Sequence, residues 1–100
     1  PENIPERTGR IRKMMRIDLQ PRWKEELVAS CPMGTLVLEL TMGKLHVYFP
    51  DETLWAASAP EWAKPLRADF LAACESWSKS QGIPMTVTDH TFVYALTDPA

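Results

Sequence analysis

The chain has 100 residues, of which 45% are hydrophobic and 24% are charged, and its formal net charge is −2. This length corresponds to one domain, and this composition is typical of globular proteins and excludes an extensively disordered chain. No apolar run approaches the roughly 20 residues that cross a bilayer, and no apolar stretch typical of a signal peptide follows the polar N-terminus. Two cysteines, Cys31 and Cys74, are too few for a disulfide scaffold, so we expect a small soluble domain in the reducing cytoplasm.

Positive charge is concentrated in residues 1–16, which carry five basic and two acidic side chains, whereas the remainder carries six basic and eleven acidic ones. We interpret this segment as a flexible arm that precedes a single α+β domain at 17–97. Clustered positive charge is sufficient to bind a phosphate backbone, although no signature of a nucleic-acid-binding family follows. The arm therefore contacts either a nucleic acid or its own domain. The candidate residues for nucleic-acid contact are Arg7, Arg10, Arg12, Lys13 and Arg16.

The segment from Asp18 to Cys31 has the spacing of a helix. Its apolar residues recur at every fourth position, which places them on one side of a helix. They are Leu19, Trp23, Leu27 and Cys31. Asp18 is a suitable N-cap, and Pro21 in the first turn needs no hydrogen-bond donor there. Pro32 and Gly34 then end the helix.

Residues 34–50 alternate between apolar and polar side chains on both sides of Met42 and Gly43, which predicts a β-hairpin with these two residues as its turn. One face then carries three apolar pairs, Leu40 with Leu45, Leu38 with Val47 and Leu36 with Phe49. The other face carries Thr41 with Lys44, Glu39 with His46 and Val37 with Tyr48. A slip of one residue would oppose apolar and polar side chains, so the pattern itself favours this pairing.

A loop and a second helix follow the hairpin. We interpret residues 50–58 as the loop, which leads into a short helical turn that contains Trp62. Because Pro65 is unfavourable deep inside a helix, we expect the second helix to begin there and to continue to Gln81, where Gly82 provides a C-cap. Its apolar stripe consists of Leu66, Phe70, Ala73, Cys74 and Trp77.

Residues 85–96 are rich in β-forming side chains. They form either a hairpin around Asp89 and His90 or one long strand with a bulge there. The hairpin would place Met85, Val87, Phe92 and Tyr94 on one face. The order of elements is then α-β-β-α-β(-β). We predict an α+β fold in which a small antiparallel or mixed sheet of three to four strands packs one face against two main helices.

Glu39 and His46 oppose each other in the predicted hairpin. A carboxylate can orient an imidazole and raise its pKa, as in a general base. Nothing nearby in the sequence supplies a nucleophile or an oxyanion donor, however, and the same pair also makes an ordinary cross-strand ion pair. We interpret the two residues as structural and keep a small enzyme based on His46 and Glu39 as an alternative hypothesis.

Metal and cofactor binding have little support in the sequence. His46, Asp51, Asp89 and His90 are residue types that bind zinc or iron, but the two histidines are far apart and lack the close spacing of metal-binding motifs. The four glycines are scattered and form no phosphate-binding loop. We expect no metal and no cofactor.

Two of the four tryptophans, Trp55 and Trp62, lie in the proline-flanked segment between the hairpin and the second helix. They either cap the open end of the core or remain exposed as anchors for a partner. Together with Val37 and Tyr48 on the outer face of the hairpin, they are the candidate interaction residues. Since catalytic spacing is absent, we predict a non-catalytic protein-interaction module that binds a protein partner or forms a homodimer, without a role for a membrane. Nucleic-acid binding through the arm is the alternative.

Overall fold

The computed structural model of the chain describes residues 15–22 and 25–96. Over these residues it has a six-stranded, mostly antiparallel sheet and two α-helices, which confirms the predicted α+β class. The strand number and the order of elements differ from the prediction. In chain order the elements are β1 (Asp18–Arg22), β2 (Glu26–Cys31), β3 (Gly34–Thr41), β4 (His46–Pro50), α1 (Glu52–Ser58), a 3₁₀ helix (Glu61–Leu66), α2 (Arg67–Gln81), β5 (Met85–Thr88) and β6 (Val93–Ala95).

The first four strands are antiparallel neighbours in sequence order, and β5 is added at the far edge, parallel to β4. Strand β6 pairs with β3 and not with β5. Along one side of β3, residues 39–41 pair with β4 and residues 36–38 pair with β6. Strands β4 and β6 thus share that side, and β6 occupies the place that β4 leaves after Tyr48.

The predicted first helix is wrong, because its residues form β1 and β2. A row of apolar residues at every fourth position is also a row on one face of a strand, where side chains alternate with a period of two. Leu27 and Ala29 in β2 are fully buried, which is the strand pattern. The turn between the strands contains Glu25 in the left-handed conformation, with φ of 64°. Trp23 of the predicted stripe lies outside the described residues.

The predicted hairpin exists, but its register is shifted by two residues. Leu40 opposes Val47 instead of Leu45, and Glu39 opposes Tyr48 instead of His46. The connection is a four-residue turn over 42–45, and Leu45 in this turn is 45% exposed. Because a shift of two residues keeps every side chain on its face, the predicted apolar face is otherwise confirmed. Its buried members are Leu36, Leu38, Leu40, Val47 and Phe49.

The C-terminal segment forms neither the predicted hairpin nor a single bulged strand. Strand β5 pairs with β4, and after residues 89–92 the chain returns to pair β6 with β3. Val87 therefore lies on the same face as its partner Phe49, whereas Tyr94 lies with Val37 on the opposite face.

All three helical segments cover one face of the sheet. The predicted loop at 50–58 is in fact α1, because Asp51 caps its N-terminus by accepting a hydrogen bond of 2.9 Å from the Leu54 N–H. The second helix ends as predicted, with Gly82 at φ of 71°. The buried core joins this face to the helices and comprises Leu27, Ala29, Leu36, Leu38, Leu40, Val47, Phe49, Trp55, Ala59, Ala63, Phe70, Cys74 and Val93. Among the described helices, none has the length and apolarity needed to pass through a bilayer.

Candidate functional site

The sheet face opposite the helices is the candidate site, and no described helix packs on it. Side chains alternate along each strand, so the neighbours of the buried core residues point to this second face. It carries Arg22, Glu26, Val28, Val37, Glu39, His46, Tyr48, Thr86 and Tyr94. We call these nine residues the open face.

A polar network organises the centre of the open face. The Tyr94 hydroxyl donates a hydrogen bond of 2.7 Å to the Glu26 Oε2, and the Arg22 guanidinium lies 2.6 Å from the Glu26 Oε1. The hydrogen bond to Glu26 raises the pKa of Tyr94 above its ordinary value, because ionised tyrosine cannot donate it. Tyr94 pairs across the strands with Val37, whose side chain is fully buried although it lies on the open face.

A second carboxylate lies beside this network. Glu39 is the cross-strand partner of Glu26, and its Oε1 accepts a hydrogen bond of 2.8 Å from the Thr91 hydroxyl. Arg22 offsets the charge of Glu26, but within residues 15–22 and 25–96 no basic side chain pairs with Glu39. Two carboxylates directly opposite each other repel. The open face therefore has an excess of negative charge at Glu39.

Aromatic rings flank this carboxylate. Tyr48, directly opposite Glu39, stacks on His46 with 4.4 Å between ring centroids. Phe92 lies 5.8 Å from the ring of Tyr94, which is 41% exposed. Tyrosine is one of the residue types enriched in protein-protein interfaces and in their binding hot spots.

The predicted interaction residues divide between surface and core. Tyr48 is partly exposed on the open face, but Val37 is fully buried and Trp55 is 2% exposed, so these two offer no surface to a partner. Trp62 is partly buried against Gly34. Trp55 is thus part of the core, and Trp62 packs against the core while remaining partly exposed. Sequence reasoning missed Tyr94 because the hairpin alternative for residues 85–96 groups it with Met85 and Val87, whereas the structure places it on the opposite face.

The proposed catalytic pair does not form. His46 Nε2 lies 2.7 Å from the Thr86 hydroxyl, and Glu39 is engaged by Thr91 instead. His46, the first residue of β4, lies near the start of β5, whereas His90 follows the end of β5. The length of β5, roughly 10 Å by its strand rise, therefore lies between the two histidines. In the part of the chain that the structure describes, no three His, Cys, Asp or Glu side chains come together in a way that could hold a metal ion.

Most of the predicted nucleic-acid residues, Arg7, Arg10, Arg12 and Lys13, lie outside the described residues. Arg16 is described, and its Nε lies 3.2 Å from the Asp18 carboxylate. Over 15–22 and 25–96 the chain has six basic and ten acidic side chains. Several of the basic groups are already engaged, since Arg22 pairs with Glu26 and the Lys64 ammonium donates to two backbone carbonyls at the end of α1. These residues present no basic patch.

The two free cysteines differ in their expected reactivity. Burial raises the pKa of the Cys74 thiol to about 12, with a smaller contribution from the Glu75 carboxylate. Cys31 is partly exposed. Because the thiolate is the reactive form, we expect a thiol reagent at pH 8 to modify Cys31 in the folded chain and Cys74 only after unfolding, as measured by mass spectrometry of tryptic peptides.

The raised pKa of Cys74 also predicts a loss of stability in alkaline solution. The pKa of Cys74 is higher in the folded chain than its unfolded value of about 8.5. The protonated thiol therefore contributes fully to the free energy of unfolding below about pH 8.5, and this contribution is lost as the pH rises toward 12. The free energy of unfolding should fall more steeply between pH 8 and pH 10.5 in the native chain than in a Cys74→Ala variant. Equal slopes would contradict burial of a protonated thiol.

Comparison with protein-family models, with curated proteins and with solved structures finds no match to this chain.

Proposed function

We propose that the chain is a non-catalytic protein-interaction module that uses the open face to bind a basic segment of a partner protein. The observation that carries this proposal is Glu39, a half-buried carboxylate without a basic partner among the described residues, opposite the partly exposed ring of Tyr48 and on the same face as the exposed ring of Tyr94. A Lys or Arg of a partner would supply the missing charge, and its aliphatic stem would pack on the aromatic rings.

The charge of the domain supports a basic partner over a nucleic acid. The described residues carry ten acidic and six basic side chains. Their net negative charge repels a phosphate backbone and attracts basic segments. An enzyme is less well supported, because the groups that would have to converge are engaged separately at Thr86 and Thr91. The two free cysteines agree with a reducing compartment such as the cytoplasm.

The test uses short synthetic peptides in which one Lys or Arg is flanked by apolar residues, with matched peptides that carry Glu instead. Titration into isotopically labelled full-length chain, followed by NMR, should shift the amide signals of Tyr48, Glu39 and Tyr94 with the basic peptides only. If the peptides shifted amide signals of the helical face instead, or if no peptide bound, the proposal would be contradicted.

Two charge variants show whether Glu39 is responsible. Glu39→Gln keeps an acceptor for Thr91 but removes the charge, and we expect it to weaken peptide binding by about tenfold, which corresponds to the loss of one charge-assisted contact. Glu61→Gln makes the same change on the exposed surface of the 3₁₀ helix and should leave the affinity unchanged. Equal effects of the two variants would indicate nonspecific attraction to an acidic protein.

A further inference from the structure

Strands β1 and β5, at the two ends of the strand order, differ in how they are protected. Strand β1 contains Asp18, Pro21 and Arg22, which are the residue types that discourage pairing with another chain. Strand β5 has the sequence Met-Thr-Val-Thr, without a charge or a proline. Thr86 and Val87 in its centre are exposed, and Val87 retains 45% of its accessible surface.

The backbone of β5 leaves hydrogen-bonding groups unpaired along its outer side. The carbonyl of Pro84 accepts from the Val47 N–H at 2.9 Å, and the carbonyl of Thr88 accepts from the Asp51 N–H at 3.0 Å. Residues 84, 86 and 88 therefore face β4, and the backbone groups of Met85 and Val87 face away from it. In the described part of the chain, no element pairs with them.

We propose that this edge binds a second copy of the chain, with the two β5 strands antiparallel about a twofold axis at Thr86. In this register Met85 opposes Val87 of the second copy, and each of these two pairs makes two backbone hydrogen bonds. On the open face, the two Thr86 side chains meet as a favourable Thr–Thr pair. On the inner face, Met85 and Val87 extend the apolar surface across the junction. No charged residue lies within the paired segment.

Charges near the edge are complementary to themselves under the same symmetry. A depression of about 700 Å³ lies beside β5, between the second half of α2 and the residues Ile83 and Met85. Glu75 and Lys79 border it, and neither has an ion-pair partner within 15–22 and 25–96. In the proposed dimer the twofold axis makes the two α2 helices antiparallel, so Glu75 and Lys79 of one copy are presented in the reverse order to those of the other. A self-complementary patch of this kind is what a twofold dimer requires.

Thr86 belongs to both surfaces, but the proposed function depends on Glu39, which lies outside the paired segment, so the two proposals can fail separately. Three paired residues of each copy and a shallow depression form a small interface, so we expect weak association. It should appear in sedimentation equilibrium of the full chain as a mass that rises toward that of two chains as the concentration approaches about 1 mM.

Variants of Thr86 test the register. Thr86→Lys places two like charges in contact at the axis. We expect it to raise the dissociation constant of the dimer about tenfold or more. Thr86→Val also loses the hydroxyl that contacts His46 but adds no charge, so it should dimerise like the native chain. Thr53→Lys adds the same charge on the exposed surface of α1 and should also leave the dimer intact.

Cross-linking provides a second readout that does not depend on a stable dimer. The proposed pairing brings the two Cα atoms at position 86 to about 4.5–5.5 Å, within the range of a disulfide, and leaves those at position 88 about 14 Å apart. Thr86→Cys should therefore oxidise to a covalent dimer much faster than Thr88→Cys, with the native chain as the background for Cys31. A monomer at every concentration, equal cross-linking at the two positions, or a dimer unaffected by Thr86→Lys would overturn the proposal. Binding of basic peptides by the native chain, at a concentration where it is monomeric, tests the proposed function separately.

Discussion

Replacing Trp55 with alanine should lower the free energy of unfolding by about 3–5 kcal/mol, the range for removal of a buried tryptophan. Trp55 is 2% exposed and belongs to the core between the sheet and the helices. Its ring stacks on Phe49 at 5.4 Å between centroids and contacts Phe70 at 5.9 Å. Its Nε1–H also donates to the Ala63 carbonyl at 3.2 Å. The substitution thus removes both the ring packing and the indole hydrogen bond.

Urea denaturation followed by circular dichroism would measure this loss. A domain of this size has a total stability of roughly 5–15 kcal/mol, so the alanine variant could be largely unfolded. Trp55→Phe keeps most of the ring contacts and loses the indole hydrogen bond, and a smaller loss of about 1–2 kcal/mol is expected. Thr53→Ala, at an exposed position of the same helix, should change stability by less than about 0.5 kcal/mol. If Trp55→Ala behaved like Thr53→Ala, Trp55 would not be a core residue.

The buried face of the sheet was predictable because it depends only on alternation. Leu38, Leu40 and Val47 were assigned correctly, although each was given the wrong partner. A two-residue shift changes the pairs but not the faces. The sequence contains no signal that distinguishes a two-residue turn at Met42 and Gly43 from the observed four-residue turn.

The predicted helix over residues 18–31 is wrong because the apolar periodicity of this segment is ambiguous. Leu19 and Leu27 satisfy both a helix and a strand, and the acidic and basic residues between them favour neither. Glu25 in the left-handed conformation marks the turn, but a glutamate gives no sequence signal for that conformation. Tertiary pairing with β3 determines the outcome, and such pairing is not visible in a local pattern.

The candidate site could be predicted only in part for a related reason. Tyr48 was assigned to the outer face by its own alternation. Glu26 joins it through β2, whose hairpin with β3 is hidden by the predicted first helix. Tyr94 joins it through the pairing of β6 with β3, two segments far apart in the sequence. The hydrogen bond from Tyr94 to Glu26 spans 68 positions of the chain. A surface assembled from distant segments becomes visible only when the sheet order is known.

Gly34 is the position where a single added methyl group should have the second large effect. A Cβ atom at Gly34 would lie 2.5 Å from Cζ2 and 2.8 Å from Cε2 of Trp62, well inside van der Waals contact. The absence of a side chain at the start of β3 therefore allows Trp62 to close the end of the core. We expect Gly34→Ala to lower the free energy of unfolding by about 2–3 kcal/mol, as for other overpacked sites, because the indole has to move.

Gly43 is the matched control for this prediction. A Cβ atom there would meet nothing within 4 Å, so Gly43→Ala should change the free energy of unfolding by less than about 1 kcal/mol. A smaller side chain at position 62 should relieve the clash, so Gly34→Ala should be less destabilising in a Trp62→Leu background than in the native chain, as a double-mutant cycle would measure. Equal losses in the two backgrounds would mean that the close approach of Trp62 is not the reason for glycine at position 34, since the clash requires the indole.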